Sequence, residues 1–567
     1  MSEILSSATD LKTIVIDGAP LSLFEVTRTS AEHCRFELSE DPEILSRLRR
    51  AEEIISVAVN EGQNIYGVTT GFGSLADVVV PPAFAARSQN NLLSFLATGA
   101  GEPIDARHVR SAMLLRANML MRGQSGIRLE IIDRFVRFLQ AGATPVVREL
   151  GSIGASGDLV PLATIARAIT GQTDYCQVEL DDETIDGRTA LDRLGLEPIE
   201  LKPKEGLAIV NGTSFSAAVA ANACGEVRNL LGLTLVTNAM ILRALNVQSA
   251  PFDAFVHECK PHPGQMWVAQ RMRELLFQPP NHHYTNGHVQ DRYSLRCFPQ
   301  YWGPSVEAFA RICDTVEIEM NAVSDNPLID TIECRIVQNG NFLGQYIAQA
   351  MDDLRTHIGM IAKHLDVQIA QMVSPEFSLG LPASLRGNES LSYNMGLKGL
   401  QISANSIMPM LTWYGNPLTS HYPTHAEQFN QNINGLSWGS AQLAWKSVQL
   451  FQSYTSVALI FAVQALDLRA RTNLGHYDGR KLLSPAMQSL YECVYDTLGL
   501  SPGGKKPLVY DDADQWLEAW LAQLTDNIRE EGSLVMSVQH AVDAFDDFRL
   551  PRHANDFNTT DDRGCRP

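Results

Sequence analysis

Five long segments dominate the chain, and in each of them apolar residues recur at helical spacing while proline and glycine are scarce. They cover about residues 214–246, 304–323, 341–373, 391–410 and 438–471. Since an α-helix rises about 1.5 Å per residue, segments of roughly 20–30 residues give helices ~30–45 Å long. Such helices bury their apolar stripes most simply against one another. We therefore expect a mainly α fold built on an elongated central helical bundle.

The segments before and after this bundle have a different character. Weak alternation in TIVIDG and CRFELSE predicts short strands near the N-terminus, and Asp41-Pro42-Glu43 predicts a helix start that leads to Gly62. No repeat of fixed period and no low-complexity linker separates the parts. We expect three sections of one architecture: a mixed N-terminal part with a lid loop near 60–80, the long-helix bundle, and a C-terminal helical part with a polar tail. Their bounds are 1–205, 206–475 and 476–567.

Charge and cysteine content exclude several classes of partner. The 45 basic and 64 acidic residues give a net charge of −19, which would repel a phosphate backbone or an anionic membrane. No uninterrupted apolar segment approaches the ~20 residues that span a bilayer, and the N-terminal residues are unlike a signal peptide. Nine cysteines without a CxxC pair are typical of reduced thiols. We expect a cytoplasmic protein that binds neither nucleic acid nor membrane.

Two familiar kinds of site receive little support. Gly71-Phe72-Gly73 lacks the surrounding βαβ unit of a phosphate-binding loop. Histidines form two clusters in the sequence, the first of which includes a cysteine. Neither cluster has the second ligand pair that a structural zinc site needs. The clusters are His257, Cys259 and His262, and His282, His283 and His288. We expect no metal, and hydrogen-bonded histidines instead.

The stretch GSIGASGDLVPL (151–162) offers a different chemistry. Within Ala155-Ser156-Gly157, the Gly157 nitrogen can attack the carbonyl carbon of Ala155 and close a five-membered ring. Glycine suits the attacking position because it has no Cβ to obstruct a strained turn. Loss of water from the ring, and of the Ser156 hydroxyl, would leave an imidazolone with an exocyclic methylene. That methylene is an electrophile that no ordinary side chain supplies.

Further motifs extend this observation along nearly the whole chain. GSIGASGDLVPL resembles the signature of the aromatic amino acid ammonia-lyases, a family of histidine, tyrosine and phenylalanine ammonia-lyases and related aminomutases. The resemblance continues, in order, through YGVTTGFG (66–73), KEGLAIVNGTS (204–214), KPHPGQ (260–265), QDRYSLR (290–296), SDNPL (324–328), GNFLGQ (340–345), NMGLKGLQISANSIMP (394–409) and THAEQFNQNIN (424–434). The chain is therefore identified as a member of this family and resembles its bacterial type.

The resemblance carries expectations about fold, cofactor and assembly. It implies the fold of the histidine and phenylalanine ammonia-lyases, within the fumarase/aspartase-type superfamily. It also implies that Ala155-Ser156-Gly157 cyclises without help to 4-methylidene-imidazole-5-one (MIO), so that no external cofactor is needed. Members of the family are homotetramers in which three subunits assemble each active site.

Site residues follow from motif position. The reaction removes ammonia from an L-α-amino acid, so it needs an electrophile for the amine and a base for the β-proton. Tyr66 matches the family's base and Arg296 matches the arginine that binds the substrate carboxylate. By the same resemblance, Asn211, Tyr293, Asn341, Gln345 and Gln431 lie around the MIO ring and substrate. Glu427 and Lys398 match the acid and the lysine near the substrate amine.

Selectivity is expected at Phe95-Leu96, where the family's selectivity pair falls. Histidine ammonia-lyases resemble one another in carrying Ser-His there, and tyrosine ammonia-lyases carry His first. Burying a phenol or an imidazole without a hydrogen-bond partner costs about 1–3 kcal/mol of binding free energy. The side chains of Phe95 and Leu96 offer no such partner. Further apolar walls are expected at Leu159, Leu207, Val210 and Ile402. This pocket favours L-phenylalanine, which would become trans-cinnamate and ammonia in phenylalanine catabolism or cinnamate and phenylpropanoid biosynthesis.

Several alternatives stay open at this stage. A phenylalanine 2,3-aminomutase would share the cofactor but return the amine to the β-carbon, and a tyrosine-accepting lyase would differ in selectivity, since an apolar pocket rejects a hydroxyl by only about 100-fold. A lyase of the fumarase type is disfavoured because SANSIMPMLTWYGN lacks the lysine of the faintly similar GSSxMPxKxN loop. A non-catalytic helical scaffold would leave the reactive tripeptide idle.

Overall fold

The computed structural model describes residues 12–28, 34–171, 176–277, 285–422 and 425–550. Helices predominate, several of them long, and the predicted mainly α class is confirmed. The α-helices are α1 (Leu23–Arg28), α2 (Pro42–Asn60), α3 (Pro82–Phe95), α4 (Ala106–Leu120), α5 (Leu129–Ala141), α6 (Leu159–Thr170), α7 (Gly187–Arg193), α8 (Glu205–Val210), α9 (Ser214–Ala244), α10 (Ala254–Glu258), α11 (Pro263–Leu276), α12 (Tyr293–Arg296), α13 (Phe298–Met320), α14 (Gln345–Met372), α15 (Lys398–Tyr414), α16 (Ser437–Leu474), α17 (Pro485–Thr497), α18 (Leu517–Arg529), α19 (Ser533–Met536) and α20 (Gln539–Asp547).

Short strands form small separate sheets. They are β1 (Lys12–Ile16), β2 (Cys34–Leu38), β3 (Ala100–Pro103), β4 (Thr144–Pro145), β5 (Arg148–Leu150), β6 (Gln177–Leu180), β7 (Glu183–Asp186), β8 (Leu328–Asp330) and β9 (Arg335–Val337). β1 pairs in parallel with β2, with Lys12 opposite Cys34, which confirms the strands predicted near the N-terminus. The other pairs are antiparallel: β3 with β5, β4 with β6, β6 with β7, and β8 with β9.

All five predicted long segments are helical, and two of them differ at a boundary. α13 begins at Phe298, six positions before the predicted start, because the helix continues through Pro304 instead of beginning at it. α15 begins at Lys398 rather than near 391, because Gly396 takes a left-handed conformation with φ of 64° and the chain turns there. It also contains Pro409 and extends to Tyr414. The other three match the predicted ranges within a few residues.

The chain folds into two compact units, and the first comprises Met1–Gly225, Cys313–Asp352 and Pro417–Trp445. Within it, α5 buries Ile131, Phe135 and Phe138 completely. α4 is also buried along most of its length. Because α6 and α8 pack together in this unit, the segments that precede α6 and follow α8 are brought side by side.

The second unit comprises Glu226–Ile312, Asp353–Asn416 and Lys446–Pro567. Its core includes Trp302, whose ring stacks on Phe298 with centroids 5.2 Å apart. The fully buried carboxyl group of Asp467 accepts hydrogen bonds from the hydroxyls of Tyr491 and Tyr495. The unit thus contains a buried polar network as well as an apolar core.

One helix, α16, is long and apolar enough to cross a membrane by length and composition, but 83% of its most apolar window is buried inside the protein. Core helices of water-soluble proteins pass the same test. The predicted division into sections 1–205, 206–475 and 476–567 stays a prediction. The tail from residue 551 and the histidines His282 and His283 lie outside the described residues.

Candidate active site

The loop 151–158 joins β5 to α6 and has two positions, Gly154 and Gly157, that favour glycine. Gly154 and Gly157 have φ of 63° and 70°. A Cβ on Gly157 would lie 2.2 Å from the carbonyl oxygen of Gly212, and one on Gly154 would lie 2.5 Å from the Ser437 hydroxyl. The tripeptide Ala155-Ser156-Gly157 is therefore held in a tight turn with neighbours pressed against both of its ends.

A second segment, residues 211–214 between α8 and α9, lies against this loop. Gly157 and Gly212 form a parallel bridge, and the Asp158 amide donates to the Gly212 carbonyl at 2.8 Å. The side-chain amide of Asn211 donates to the Ser156 carbonyl oxygen at 3.0 Å. The fully buried Arg116 donates to the carbonyls of Ala208 and Asn211 at 2.5 and 3.0 Å, so this segment is itself fixed.

Asp158 anchors the end of the loop. It is fully buried and accepts from both the amide and the hydroxyl of Ser216 at 2.7 Å, and from the Ser152 hydroxyl at 3.2 Å. Burial raises the pKa of Asp158 to about 6, and these hydrogen bonds oppose that rise. The carboxyl group thereby ties both flanks of the 151–158 loop to the start of α9.

The bridging segment, residues 426–431, reaches the same loop from a distant part of the sequence. Gln431 donates its side-chain amide to the Ser156 hydroxyl at 3.0 Å. Ala426 and Gln431 pair as an antiparallel bridge, which closes the segment into a tight turn. Glu427, Gln428 and Phe429 all have positive φ, of 49°, 53° and 68°. Three consecutive residues other than glycine in this region indicate local strain of the kind that concentrates at functional sites.

The other end of the bridging segment meets the lid segment, residues 63–80. A Cβ on Gly73 would lie 1.4 Å from Oε2 of Glu427, so this carboxyl group packs directly on the Gly73 backbone. The Gly73 amide donates to the phenolic oxygen of Tyr66 at 3.0 Å. Ser156 and Tyr66 are thus connected through one short strained segment.

Burial and hydrogen bonding act on the Tyr66 phenol in opposite directions. Burial raises the pKa of Tyr66 above its usual value, and the nearby Glu427 raises it further. The Gly73 amide lowers the Tyr66 pKa, since a donated hydrogen bond favours the phenolate. Burial also raises the pKa of Glu427. The phenolic oxygen of Tyr66 therefore accepts a hydrogen bond from the Gly73 amide and lies near the Glu427 carboxyl group.

Apolar side chains at the predicted selectivity positions lie beside the lid segment. The Phe95 ring is 48% exposed, and its centroid is 6.5 Å from that of Phe72 in the lid. Leu96 is buried. Of the other predicted walls in this unit, Leu207 and Val210 are buried in α8, and Leu159 is half-buried at the start of α6.

The two remaining predicted residues of the first unit are less tightly connected. Gln345 is half-buried and begins α14 directly after Gly344, whose amide lies 3.4 Å from the Gly154 carbonyl oxygen. Asn341 is exposed, and its backbone amide donates to Asn339 at 2.8 Å.

Four predicted residues belong to the second unit. The Arg296 guanidinium carbon lies 4.7 Å from the centre of the Tyr293 ring, which is 72% exposed. Nε of Arg296 is buried and has no hydrogen-bond partner within the described ranges. Lys398 and Ile402, both on α15, are exposed.

Three buried residues with contacts around the site are absent from the sequence-based prediction: Asp158, Arg116, and Gln89, whose side-chain amide joins Gly67 to Leu207. Asp158 stands inside the quoted motif, but its sequence gives no sign of the Ser216 contact. Arg116 and Gln89 lie in helices with no unusual pattern, and a single arginine or glutamine is ordinarily a surface residue. Full burial, which only the fold reveals, distinguishes them.

Metal ligands do not cluster in the part of the chain that the structure describes. His257 has ordinary partners instead: its Nε2 lies 3.0 Å from the Pro251 carbonyl, and its Nδ1 lies 3.0 Å from the Gln265 amide.

Comparison with known proteins identifies the family to which the chain is similar. The family model for aromatic amino acid lyases matches residues 21–495. A phenylalanine ammonia-lyase of Nostoc punctiforme is 46% identical over 93% of this chain and 94% of its own length. An aromatic ammonia-lyase of Loktanella atrilutea is 39% identical over 95% of this chain and 100% of its own length. The solved structure of a Pantoea agglomerans phenylalanine aminomutase superposes with a TM-score of 0.81 at 28% identity, covering 91% of this chain and 98% of that one.

Proposed function

This chain belongs to the aromatic amino acid lyase family and is a carbon–nitrogen lyase, and on that premise we propose that it converts L-phenylalanine to trans-cinnamate and ammonia. One observation carries the proposal: the bridging segment contacts the Ser156 hydroxyl at one end and the Gly73 backbone beside Tyr66 at the other. The residue that would supply the electrophile and the residue that would serve as base are thereby held in one site.

The proposal includes MIO formed from Ala155-Ser156-Gly157. The fit is supported by the left-handed turn at Gly157, by the pressure of the Gly212 backbone on it, and by the Asn211 amide on the Ser156 carbonyl. MIO supplies an electrophile that makes the substrate amine a better leaving group. The chain makes this group from its own residues, so the proposal needs no external cofactor.

Tyr66 would remove the β-proton. The phenol must be ionised to act as a base, and the Gly73 amide stabilises the ionised oxygen. Packing of the lid segment over the site would exclude water and keep the phenolate oxygen from being hydrated. Glu427, half-buried beside Gly73, is suited to exchange a proton with the departing amine because burial raises its pKa.

Substrate carboxylate binding is assigned to Arg296. Its buried Nε is without a protein partner in the described ranges, and a guanidinium donates two parallel hydrogen bonds to a carboxylate. Stacking on Tyr293 would orient the guanidinium plane. Lys398, Asn341 and Gln345 complete the proposed polar surroundings of the substrate.

Selectivity for phenylalanine follows from the chemistry of Phe95 and Leu96. Neither side chain can donate to or accept from a phenol or an imidazole, so a buried polar ring would lose its water without replacement. Leu207, Val210, Leu159 and Ile402 would add apolar surface. Slow turnover of tyrosine is compatible with such a pocket.

Assembly into a homotetramer is part of the proposal. On α15, Ile402 and Trp413 are 69% and 67% exposed, which is typical of apolar residues that another copy covers. Site residues on that exposed face would then contribute to a neighbour's active site. The free cysteines are compatible with a cytoplasmic location, where thiols stay reduced.

A phenylalanine 2,3-aminomutase is the second candidate, because the Pantoea agglomerans aminomutase shares the fold over 91% of the chain. The two reactions differ in product. The purified protein is incubated separately with L-phenylalanine, L-tyrosine and L-histidine, and aryl acrylate, ammonia and β-amino acid are measured. Cinnamate and ammonia in equal amounts from phenylalanine support the proposal, β-phenylalanine as main product supports the aminomutase, and no turnover of any of the three overturns both.

A further inference from the structure

Gln89 is fully buried on α3 and uses both ends of its side-chain amide to join two other segments. Its nitrogen donates to the carbonyl oxygen of Gly67 at 2.8 Å, and its oxygen accepts from the backbone amide of Leu207 at 3.0 Å. Gly67 directly follows Tyr66 in the lid segment, and Leu207 lies in α8. One side chain therefore connects the segment that carries Tyr66 to the helix that leads to Asn211.

The segments that Gln89 connects are packed tightly against one another. A Cβ on Gly206 would lie 2.8 Å from the Gln89 carbonyl oxygen, and a Cβ on Gly67 would lie 2.7 Å from Cδ2 of Leu207. Both distances are shorter than packed atoms tolerate, so the α3 backbone lies directly on Gly206 of α8, and the Leu207 side chain lies directly on the Gly67 backbone. Little room is left for the lid to move once the amide is in place.

Hydrogen bonds within the lid segment also restrain the backbone around Tyr66. The Thr69 hydroxyl accepts from the Ile65 amide at 2.8 Å and donates to the Gln63 carbonyl, and the Thr70 hydroxyl accepts from the Gly67 amide at 3.2 Å. A displacement at Gly67 would consequently move Tyr66 with it instead of being absorbed by the loop. Asn211, at the end of α8, donates a hydrogen bond to the Ser156 carbonyl oxygen. Because the Gln89 amide is bound to α8, it also helps to fix the position of the lid segment relative to the 151–158 loop.

We propose that Gln89 is a positioning residue that holds the Tyr66 phenol at a fixed place relative to Ser156, and that it does not touch the substrate. This inference rests on the proposed function, since it concerns the base of that reaction. A displacement of about 1 Å between reacting groups lowers a rate by about 100-fold. The expected signature is a loss in kcat per MIO group, with KM little changed.

Two variants separate positioning from folding. Gln89→Glu keeps the acceptor for Leu207 but places an oxygen against the Gly67 carbonyl, while Gln89→Met fills a similar volume without either hydrogen bond. Gln464→Glu is the matched control, because Gln464 is also fully buried and bridges backbone groups in the second unit, at Leu385 and Val509. MIO content is measured by intact mass and by trapping with a nucleophile.

We expect kcat per MIO group to fall about 100-fold in both Gln89 variants and the alkaline rise of kcat/KM to shift, with MIO content near wild type. The control variant should lose stability and keep kcat per MIO group and the pH profile. An unchanged kcat per MIO group in a folded Gln89 variant overturns the inference, as does an equal fall in Gln464→Glu. Failure of the underlying function is distinguishable, because wild-type protein would then not turn over phenylalanine.

Discussion

Gln431 and Ser156 are 275 positions apart in the chain, yet the side-chain amide of Gln431 lies 3.0 Å from the Ser156 hydroxyl. The hydroxyl is the group that must leave if the tripeptide is to become an electrophile. A donor on that oxygen stabilises the negative charge that develops as it departs. If MIO forms here as proposed, this contact would let a residue of the bridging segment assist its formation before any substrate binds.

Ser156→Ala should abolish activity because alanine cannot form the exocyclic methylene. We expect kcat to fall more than about 1,000-fold, as when a covalent catalyst is removed. The wild-type chain should weigh two waters less than its sequence, and the variant should not show the loss that depends on the Ser156 hydroxyl. Ser374→Ala is the control, because it removes a hydroxyl that donates a hydrogen bond to the Ala370 carbonyl in the second unit. This variant should keep the kcat and the mass loss of the wild type. Full activity in Ser156→Ala would contradict the proposed chemistry.

Tyr66→Phe should lower kcat by about 100- to 10,000-fold, the usual worth of a general base, while the mass loss of MIO formation stays intact. The half-buried Tyr301 offers a control, because its hydroxyl donates to the Met360 carbonyl at 3.2 Å in the second unit. Tyr301→Phe should keep its kcat. A variant Tyr66→Phe that retains kcat would exclude the phenol as base.

The pH dependence of kcat/KM should reflect the raised pKa of Tyr66. Burial raises the pKa of Tyr66, so the ionised fraction is small at neutral pH and grows as pH rises. We expect kcat/KM to increase between about pH 7 and 9, measured by cinnamate absorbance at low substrate. A profile that falls over this interval would contradict a phenolate base.

Phe95→His should raise activity on tyrosine relative to phenylalanine by about 10-fold, since one hydrogen bond to a buried phenol is worth about 1–3 kcal/mol. The measured quantity is the ratio of kcat/KM for the two substrates. Phe84→His is a matched control on the same helix, where Phe84 is 53% exposed. An unchanged ratio in Phe95→His would remove this position from selectivity.

Gly73→Ala should lower kcat about 10- to 100-fold by displacing the lid from the bridging segment. The new Cβ would lie 1.4 Å from Oε2 of Glu427, and φ at Gly73 is 57°. Gly62→Ala tests the backbone strain alone, because φ there is 72° and nothing lies within 4 Å of the added Cβ. Equal effects of both substitutions would show that strain, and not the Glu427 contact, is responsible.

Asp467 should make the second unit less stable as pH rises. Burial raises the pKa of Asp467 to about 7, against hydrogen bonds from Tyr491, Tyr495 and Leu508 that lower it. The folded protein then holds a proton that the unfolded chain has released above about pH 4, so stability falls as pH rises toward 7.

Asp467→Asn should remove this slope. Denaturant unfolding at pH 5 and pH 8 should show wild type losing about 3 kcal/mol more than the variant over that interval. Asp314→Asn, at an exposed carboxyl, should leave the slope unchanged. A variant with the wild-type slope would show that Asp467 stays ionised in the fold.

Sequence patterns predicted the helices better than the contacts. Asp41 does cap α2, accepting from the Glu43 amide at 2.8 Å, because a cap depends only on neighbours in sequence. β4, with two residues, is too short for any alternation to register. The contact of Glu427 with Gly73 needs left-handed backbone at Glu427, Gln428 and Phe429, and none of these three residue types favours that conformation. Tertiary packing imposes it.

Gly157 lies so close to Gly212 that a single methyl group has no place between them. If the electrophile is made from this part of the main chain, it can be neither loaded nor exchanged. Each polypeptide would then have one electrophile for its whole life. A molecule whose ring reacts irreversibly with another nucleophile would be permanently inactive. The working life of the catalyst would be the chemical lifetime of three residues, renewed only by translation.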